Sequence, residues 1–307
     1  MKPYSAFFHL FFGDRDPGDF PLKFSVEVTN HCNLRCVSCP REESGRGYGL
    51  MDEELFSSLA DQAAGKRTLF YPQGFGESFL HPLFPQYLRL LRERGVKYPV
   101  CITNATLLTP ENARVLLEDG AKMVIISLDG GDKETYEGIR RKADFGEVWG
   151  NVERFLELRD ELESRYPHVI LSVVGSEAVL PTIDELEAHW EPKLRRTDEI
   201  FVCTPVSWAG TWDYPGGPPL EPPARGSGGG IDRPPCRNLY KTLSVYYDGR
   251  VTPCPLDHQC KLEVGNANEE RIEDIWRGEK IQRLRDLHEA GRSDEIELCR
   301  GCPDALP

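Results

Sequence analysis

Apolar residues along the first two thirds of the chain follow two alternating spacings. Short, β-branched apolar runs of the kind found in buried strands occur at 22–28, 68–72, 98–103, 123–129, 168–174 and 199–206. Between them, apolar residues recur at helical spacing over 52–64, 82–94, 110–120 and 145–164. Strands that alternate with helices pair in parallel through right-handed crossovers. The pattern therefore predicts an α/β fold, a partial (β/α)6 barrel.

The last third of the chain has a different pattern. Residues 214–235 are so rich in Pro and Gly that we expect a linker or a cover there, without helix or central strand. Residues 242–254 predict a β-hairpin that turns at Asp248-Gly249, and 268–291 predict a helix. We thus predict a core domain at 1–213, the linker at 214–235 and a small cysteine-rich domain at 236–307.

In a parallel barrel, functional side chains lie on the loops that follow the strands. The chain places four distinctive segments there, at 32–39, 74–78, 103–106 and 127–140. Five residues are candidate bases: Asp129, Glu177, His189, Asp257 and His258. No catalytic residue can be selected among them from the sequence. Three aromatic residues after the sixth strand either wall a pocket or pack at a domain boundary: Trp208, Trp212 and Tyr214.

Eight of the ten cysteines form two groups. A long chain without a signal-peptide pattern is a poor candidate for a disulfide scaffold, so thiolate ligation of metal is the better interpretation. The first group is Cys32, Cys36 and Cys39; the second is Cys236, Cys254, Cys260, Cys299 and Cys302. The two remaining cysteines, Cys101 and Cys203, fall within predicted strands, where we expect small apolar core residues.

The first group predicts an iron-sulfur cluster with one open iron. Three thiolates in one loop can hold three irons of a 4Fe-4S cube, which leaves the fourth iron free to bind a ligand. A structural zinc site would need a fourth ligand, and His31 lies too close to Cys32 in the chain to complete a tetrahedron.

The second group offers enough thiolates to close a cluster. Cys236, Cys254, Cys299 and Cys302 suit a 4Fe-4S cluster or, on these residues alone, zinc equally well. Cys260 is a fifth candidate, and we expect it to be a free thiol.

The segment NHCNLRCVSCP at 30–40 resembles the signature of the radical S-adenosylmethionine (SAM) superfamily. The resemblance implies that the open iron binds SAM and that the reduced cluster cleaves it to a 5'-deoxyadenosyl radical. It also implies an external electron donor such as flavodoxin or ferredoxin. The segment at 74–77 is similar to the family's glycine-rich SAM contact. The resemblance thus assigns SAM binding to Gly74, Gly76, Glu77, Asn104, Ser127 and Arg140.

The spacing of the second group resembles the twitch domain, a shortened relative of the SPASM domain. This resemblance implies one auxiliary 4Fe-4S cluster, held by Cys236, Cys254, Cys299 and Cys302, because few residues follow Cys302. It extends to the twitch-type aminocyclitol dehydrogenases. It therefore implies two-electron oxidation of a small sugar or aminocyclitol alcohol, with the auxiliary cluster as electron acceptor.

Two other functions stay open at this point. Radical maturases of this subgroup crosslink or epimerise ribosomal peptides, but they often carry a leader-binding domain, and only about twenty residues precede the first strand here. A non-catalytic electron carrier would gain nothing from an open iron.

Net charge and hydropathy restrict the kinds of partner that we expect this protein to bind. The net charge of -13 argues against nucleic-acid binding and favours a neutral or cationic substrate. The apolar run near the N-terminus is shorter than a signal-peptide core or a membrane span. We therefore expect a cytoplasmic protein that acts on a small molecule, with no membrane and no nucleic-acid partner.

Overall fold

A computed structural model describes residues 18–218, 220, 234–300 and 302–305. The strands are β1 (Lys23–Val26), β2 (Leu69–Tyr71), β3 (Tyr98–Thr103), β4 (Met123–Ser127), β5 (His168–Val174), β6 (Glu199–Cys203), β7 (Thr242–Val245), β8 (Arg250–Thr252) and β9 (Gly265–Asn266). The α-helices are α1 (Glu53–Ala63), α2 (Phe84–Glu93), α3 (Pro110–Glu118), α4 (Lys133–Ile139), α5 (Phe145–Glu161), α6 (Ile183–Trp190), α7 (Asn238–Lys241), α8 (Ile272–Arg277) and α9 (Glu279–Glu289).

Several helices begin where the sequence supplies a capping side chain. The side chains of Asp52, Thr109, Asp132 and Asp144 each accept a hydrogen bond from the backbone N–H three residues later. Such caps satisfy a donor that the first helical turn leaves unpaired.

The strands form one sheet in the order β6-β5-β4-β3-β2-β1-β7-β8-β9. Strands β1 to β6 are all parallel, which confirms the predicted partial barrel. β7 also pairs in parallel with β1, through Lys23 opposite Thr242 and Val26 opposite Val245. The cysteine-rich part of the chain therefore extends the sheet of the barrel, a pairing that the local pattern did not predict.

Alternate residues of the strands face two different apolar clusters. Val124 and Ile126 of β4 belong to the large core that includes the helices. Met123 and Ile125 of the same strand belong to a smaller cluster with Leu69 and others on the concave face of the sheet. Parallel strands buried on both faces read as continuous apolar runs, which is why the sequence showed no alternation.

The C-terminal elements agree in part with the sequence. The predicted hairpin is confirmed by antiparallel pairing of β7 with β8, and Gly249 in its turn has φ +90°. The single helix predicted at 268–291 is wrong, because the extended backbone of Gly278 separates α8 from α9. Most of the predicted linker, residues 219 and 221–233, lies outside the described residues, as do residues 1–17.

The two cysteines outside the groups, Cys101 and Cys203, differ in burial. Cys101 is 2% exposed in the core, as predicted. Cys203 is half-buried and lines a cavity, so its predicted place in the apolar core is wrong. The reason is its position at the end of β6, the edge strand of the sheet. None of the described helices combines the length and the apolar character that a membrane span requires.

Candidate active site

The loop that carries Cys32, Cys36 and Cys39 directly follows β1, and we call it the cysteine loop. Its backbone is tied to the end of α4, because Arg35 N–H and Val37 N–H donate to the carbonyls of Arg141 and Ile139. All three cysteines are half-buried and line a cavity of about 510 Å³. The structure thus brings the three predicted ligands together at the edge of one open cavity.

The cysteine thiols are costly to ionise on their own. Burial raises the pKa of the Cys39 thiol to about 12 and also raises the pKa of Cys32. Thiolates at these positions therefore need nearby positive charge, which the irons of a cluster supply. The donor set and its cavity fit a 4Fe-4S cluster.

The glycine-rich loop after β2 packs directly on the cysteine loop. A Cβ atom at Gly76 would lie 2.3 Å from the carbonyl oxygen of Thr29 and 2.6 Å from that of His31. One at Gly74 would lie 2.5 Å from the Cβ of Glu27. Both positions therefore require glycine for close approach of the backbone.

Glu77 connects this loop to the loop after β3. Its side chain is buried, and its two oxygens accept from the Thr103 hydroxyl at 3.0 Å and the Asn104 N–H at 2.8 Å. The Asn104 amide nitrogen in turn lies 3.8 Å from the Cys32 sulfur. Burial raises the pKa of Glu77 to about 7. Four predicted SAM contacts, Gly74, Gly76, Glu77 and Asn104, are thus assembled around the cysteine loop.

Arg140 reaches the same loop from α4. Its guanidinium is paired with Asp129, Nε to Oδ2 at 2.7 Å, and its Nη1 lies 3.9 Å from the Cys36 sulfur. Ser127 ends β4 opposite Ser172 of β5 and makes no hydrogen bond to the cysteine loop within the described residues. Arg140 is therefore placed beside the predicted cluster ligands, whereas Ser127 is not joined to them.

Two tryptophans after β6 bind the cysteine loop. The indole N–H of Trp208 donates to the carbonyl of Ser38 at 2.7 Å, and that of Trp212 donates to Val37 at 3.2 Å. Asp304 holds this segment from the C-terminal region by accepting from the N–H and hydroxyl of Ser207 and the N–H of Ala209. Sequence reasoning missed Asp304, because no local pattern indicates a partner almost a hundred residues away.

The second cysteine group also converges. Burial, with the negative charges of Asp257, Cys299 and Cys236, raises the pKa of the Cys254 thiol, so these cysteines lie near one another. Cys302 N–H donates to the Cys299 carbonyl, and Cys302 packs in an apolar cluster with Cys254 and Ala209. The four predicted ligands therefore meet although they come from three separate segments.

In the described part of the chain, no three His, Cys, Asp or Glu side chains come close enough together to hold one metal ion.

Cys260 lies apart from this group. It is 7% exposed at a left-handed backbone position with φ +59°. Burial raises the pKa of its thiol to about 12, and the residues that act on it are Arg250, Asp257, Glu263 and Asp248 rather than another cysteine. This environment is consistent with the predicted free thiol.

Four of the five candidate bases are occupied or exposed. Asp129 pairs with Arg140, Asp257 accepts from Thr252 and two backbone N–H groups, His189 bonds to Glu153, and Glu177 is exposed. His258 remains, buried with its ring 6.5 Å from that of Phe75 in the glycine-rich loop. Burial lowers its pKa, so the neutral form of the imidazole is favoured at neutral pH.

A buried ion pair, which the sequence analysis did not predict, connects the glycine-rich loop to the C-terminal region. Arg46 Nη1 and Nη2 lie 2.6 and 3.0 Å from the two carboxylate oxygens of Glu27, and Nε donates to the carbonyl of His258. Glu27 also accepts from the Phe75 N–H. The sequence signal that could have revealed this pair was Glu27, a glutamate within an apolar run. A buried charge is normally paired, so a basic partner was to be expected.

Two family models match the chain where these sites lie. A model of the radical SAM superfamily matches residues 26–177, and a SPASM model, an iron-sulfur cluster-binding domain, matches residues 236–303. The chain belongs to the radical SAM superfamily. It is a member of the SPASM/twitch subgroup, and its cofactors are a catalytic 4Fe-4S cluster, SAM and an auxiliary iron-sulfur cluster.

Two curated relatives show how far the similarity extends. The S-adenosyl-L-methionine-dependent 2-deoxy-scyllo-inosamine dehydrogenase of Niallia circulans is 23% identical over 90% of both chains. The tungsten-containing aldehyde ferredoxin oxidoreductase cofactor-modifying protein of Pyrococcus furiosus is 28% identical over 53% of this chain. The match spans only 46% of the length of that relative.

Solved structures share the fold. BtrN in complex with AdoMet and 2-DOIA superimposes with a TM-score of 0.59 at 20% identity, over 92% of this chain and 93% of that one. Streptococcus suis SuiB bound to precursor peptide SuiA superimposes with a TM-score of 0.67 at 15% identity, over 94% and 72%.

Proposed function

We propose that this protein oxidises a small sugar or aminocyclitol alcohol by two electrons, with the auxiliary cluster as electron acceptor. One observation carries the proposal: a single segment touches both cysteine groups. Trp208 donates to the Ser38 carbonyl next to Cys39, and the following residue, Ala209, packs against Cys302. An acceptor joined so directly to the catalytic loop suits a reaction that must remove an electron from the substrate.

The bound groups supply the redox chemistry. When bound, SAM and the catalytic cluster provide a 5'-deoxyadenosyl radical that removes a hydrogen atom from a substrate carbon, and the auxiliary cluster provides a one-electron acceptor. A carbinol that loses one hydrogen atom, one electron and the hydroxyl proton becomes a ketone, which balances a two-electron oxidation.

The residues of the chain have three roles in this proposal. Cys32, Cys36 and Cys39 hold the catalytic cluster, and Glu77 accepts from the ammonium group of SAM. His258 takes the hydroxyl proton, because its neutral imidazole lies beside the glycine-rich loop.

An external flavodoxin or ferredoxin is the proposed electron donor. The cavity at the cysteine loop has an excess of one basic residue, although the whole chain is strongly acidic. Its charged wall residues are Arg35, Arg41, Arg141 and Lys142 with Glu42, Glu43 and Asp213. Positive side chains at this position favour the approach of an acidic protein.

Isotope transfer tests the reaction. Reconstituted enzyme is incubated with SAM, reductant and 2-deoxy-scyllo-inosamine or another polyol that is deuterated at its carbinol carbons. We expect deuterium in 5'-deoxyadenosine and, from unlabelled substrate, a product lighter by about two mass units. In Cys254→Ala, oxidation is lost while some cleavage of SAM persists. A product that keeps the oxidation level of the substrate contradicts the proposal.

Peptide modification is the second candidate, because the chain shares its fold with SuiB, which was solved with a precursor peptide. Deuterium transfer from a precursor peptide, with none from any polyol, favours this alternative.

A further inference from the structure

The concave side of the barrel contains two cavities with common walls. One, of about 160 Å³, is lined by Gly74, Phe75 and Trp208, which lie next to the cysteine loop. The other, of about 500 Å³, lies between β6 and β7 and is lined by Phe201 and Thr242 among others. Lys23 and Pro255 line both cavities. The two cavities are therefore neighbours with Lys23 in the wall of each, and we call the pair of them the passage.

Lys23 is an unusual residue for this position. It begins β1, and its side chain points into the barrel, with its ammonium 5.2 Å from the ring centre of Tyr71. No acidic side chain among the described residues forms a salt bridge with it, although the chain holds 50 acidic residues. Burial without such a partner lowers the pKa of the amine. By its exposed fraction Lys23 is half-buried. A lysine that faces a cavity without an anionic side chain beside it is able to pair with an anionic ligand.

Lys23 is not the only basic residue in the walls of the passage as far as the structure describes them. Its other basic wall residues are Lys241, which is 2% exposed, and Arg237. The two acidic wall residues are already used: Glu27 is paired with Arg46, and Asp304 accepts from Ser207 and Ala209. Three basic and two acidic side chains thus line the passage, within a protein of net charge -13.

We propose that this passage binds a substrate with an acid group, a carboxylate or a phosphate, and that Lys23 holds that group. This deepens the proposed function, since it assumes that the passage leads the alcohol to the catalytic cluster. Lys23 starts β1, whereas the cysteine loop follows the end of that strand. The acid group is thus on the part of the substrate remote from the reacting carbon. The substrate class becomes a sugar acid or a sugar phosphate, in contrast to the cationic or neutral molecule that the net charge alone suggested.

Binding to matched sugars tests this assignment without turnover. Reconstituted protein with SAM is titrated anaerobically with galactose, galactosamine, galacturonate and galactose 6-phosphate, and with inorganic phosphate as a probe without a sugar. We expect an acidic member to bind roughly tenfold to a hundredfold more tightly than galactose. The galacturonate and phosphate arms distinguish the two acid groups.

Variants assign the preference to Lys23. Lys23→Met and Lys23→Gln should lose the preference for the acidic member, and Lys23→Arg should keep most of it, because guanidinium also binds carboxylate and phosphate. Lys97→Met, at an exposed lysine, is the matched control and should bind like the native protein. Iron content reports whether each variant folds.

Three results overturn the inference: equal or tighter binding of galactose or galactosamine, an unchanged preference in both Lys23→Met and Lys23→Gln, or no Lys23-dependent binding of any anion, inorganic phosphate included. The proposed oxidation is tested separately by deuterium transfer. Failure of the oxidation with Lys23-dependent anion binding intact therefore rejects the reaction and not the acid group.

Discussion

Individual side chains at the candidate active site have properties that depend on burial. Glu77 is the clearest case, since its carboxylate is enclosed by the loops after β2 and β3 and its pKa is raised to about 7. A carboxylate accepts hydrogen bonds from an ammonium group, whereas a protonated carboxyl does so poorly. With Glu77 as the proposed acceptor from the SAM ammonium group, the ionisation of this residue links SAM binding to pH.

We expect SAM to bind more weakly as the pH falls from about 8 to about 6, because Glu77 becomes protonated in this range. Glu77→Gln should weaken binding by roughly tenfold and remove the pH dependence. Equilibrium binding of SAM to the reconstituted protein at several pH values measures both effects. Glu93→Gln, at an exposed site on α2, is the control. A flat profile for the native protein would exclude this role for Glu77.

The same pKa shift also affects folding. A carboxyl group with a raised pKa contributes stability that is fully present below its unfolded pKa of 4.5 and is lost as the pH rises through its folded value of about 7. The free energy of unfolding of the metal-free chain should therefore fall over this range. Glu77→Gln should show a smaller fall in urea titrations, and an equal fall in both proteins would contradict the assignment.

Substitution of Cys260 and substitution of Cys236 should have different effects on the iron content. The Cys260 thiol lies among charged residues away from the other cysteines, so Cys260→Ala should keep about eight irons per chain. Cys236 is near enough to Cys254 to help raise the pKa of its thiol. Cys236→Ala should therefore lower the iron content to about four per chain. Iron and sulfide analysis after anaerobic reconstitution measures both. The ligand assignment is wrong if only the Cys260 variant loses iron.

At the scale of elements, β1 joins the two parts of the protein. It pairs with β2 on one side and β7 on the other, and it carries Glu27 just beyond its end. Arg46 connects that glutamate to the C-terminal region through the His258 carbonyl, with its guanidinium 4.0 Å from the Tyr246 ring centre. The ion pair therefore holds the glycine-rich loop and the C-terminal hairpin against the same strand.

Arg46→Met should lower the free energy of unfolding by about 3–5 kcal/mol, because it leaves the Glu27 carboxylate buried without its partner. Adding Glu27→Gln should recover part of this loss, since a neutral amide oxygen still accepts from the Phe75 N–H. Arg292→Met breaks the exposed pair with Glu295 and should leave stability nearly unchanged. Urea unfolding of the metal-free proteins compares the three, and a small effect of Arg46→Met would argue against the ion pair as a support.

At the scale of the whole molecule, the two predicted sets of cluster ligands come from different parts of the chain. The predicted catalytic ligands lie in a single loop, and the predicted auxiliary ligands come from three C-terminal segments. Charge is also unevenly distributed, because the acidic chain lines its internal passage with lysine and arginine. The net charge of the whole chain therefore does not give the charge of these cavity walls.

Replacement of Cys32, Cys36 and Cys39 by Ala should lower bound iron from about eight to about four per chain and abolish 5'-deoxyadenosine formation. The auxiliary cluster should persist, since its ligands do not depend on the cysteine loop. Iron analysis and chromatography of the SAM products provide the readouts. Formation of 5'-deoxyadenosine at the native rate in this variant would refute the assignment of the catalytic site.

The sequence by itself determined the features that depend on neighbours along the chain. Strand and helix periodicity predicted the six barrel strands, and the spacing of Cys32, Cys36 and Cys39 indicated the catalytic site. The turn at Asp248-Gly249 was equally local. Each of these signals spans about twenty residues or fewer in sequence, so propensity and spacing suffice to detect it.

Only the tertiary structure decided the features that join distant segments. The pairing of β1 with β7, the Glu27 and Arg46 ion pair and the contact of Asp304 with Ser207 unite residues that no periodicity relates. The same holds for the environment of Lys23, which reads in the sequence as an ordinary residue at the start of a strand. The surroundings of a side chain are set only when the sheet closes around it, and for that reason the passage at Lys23 became visible in the folded protein alone.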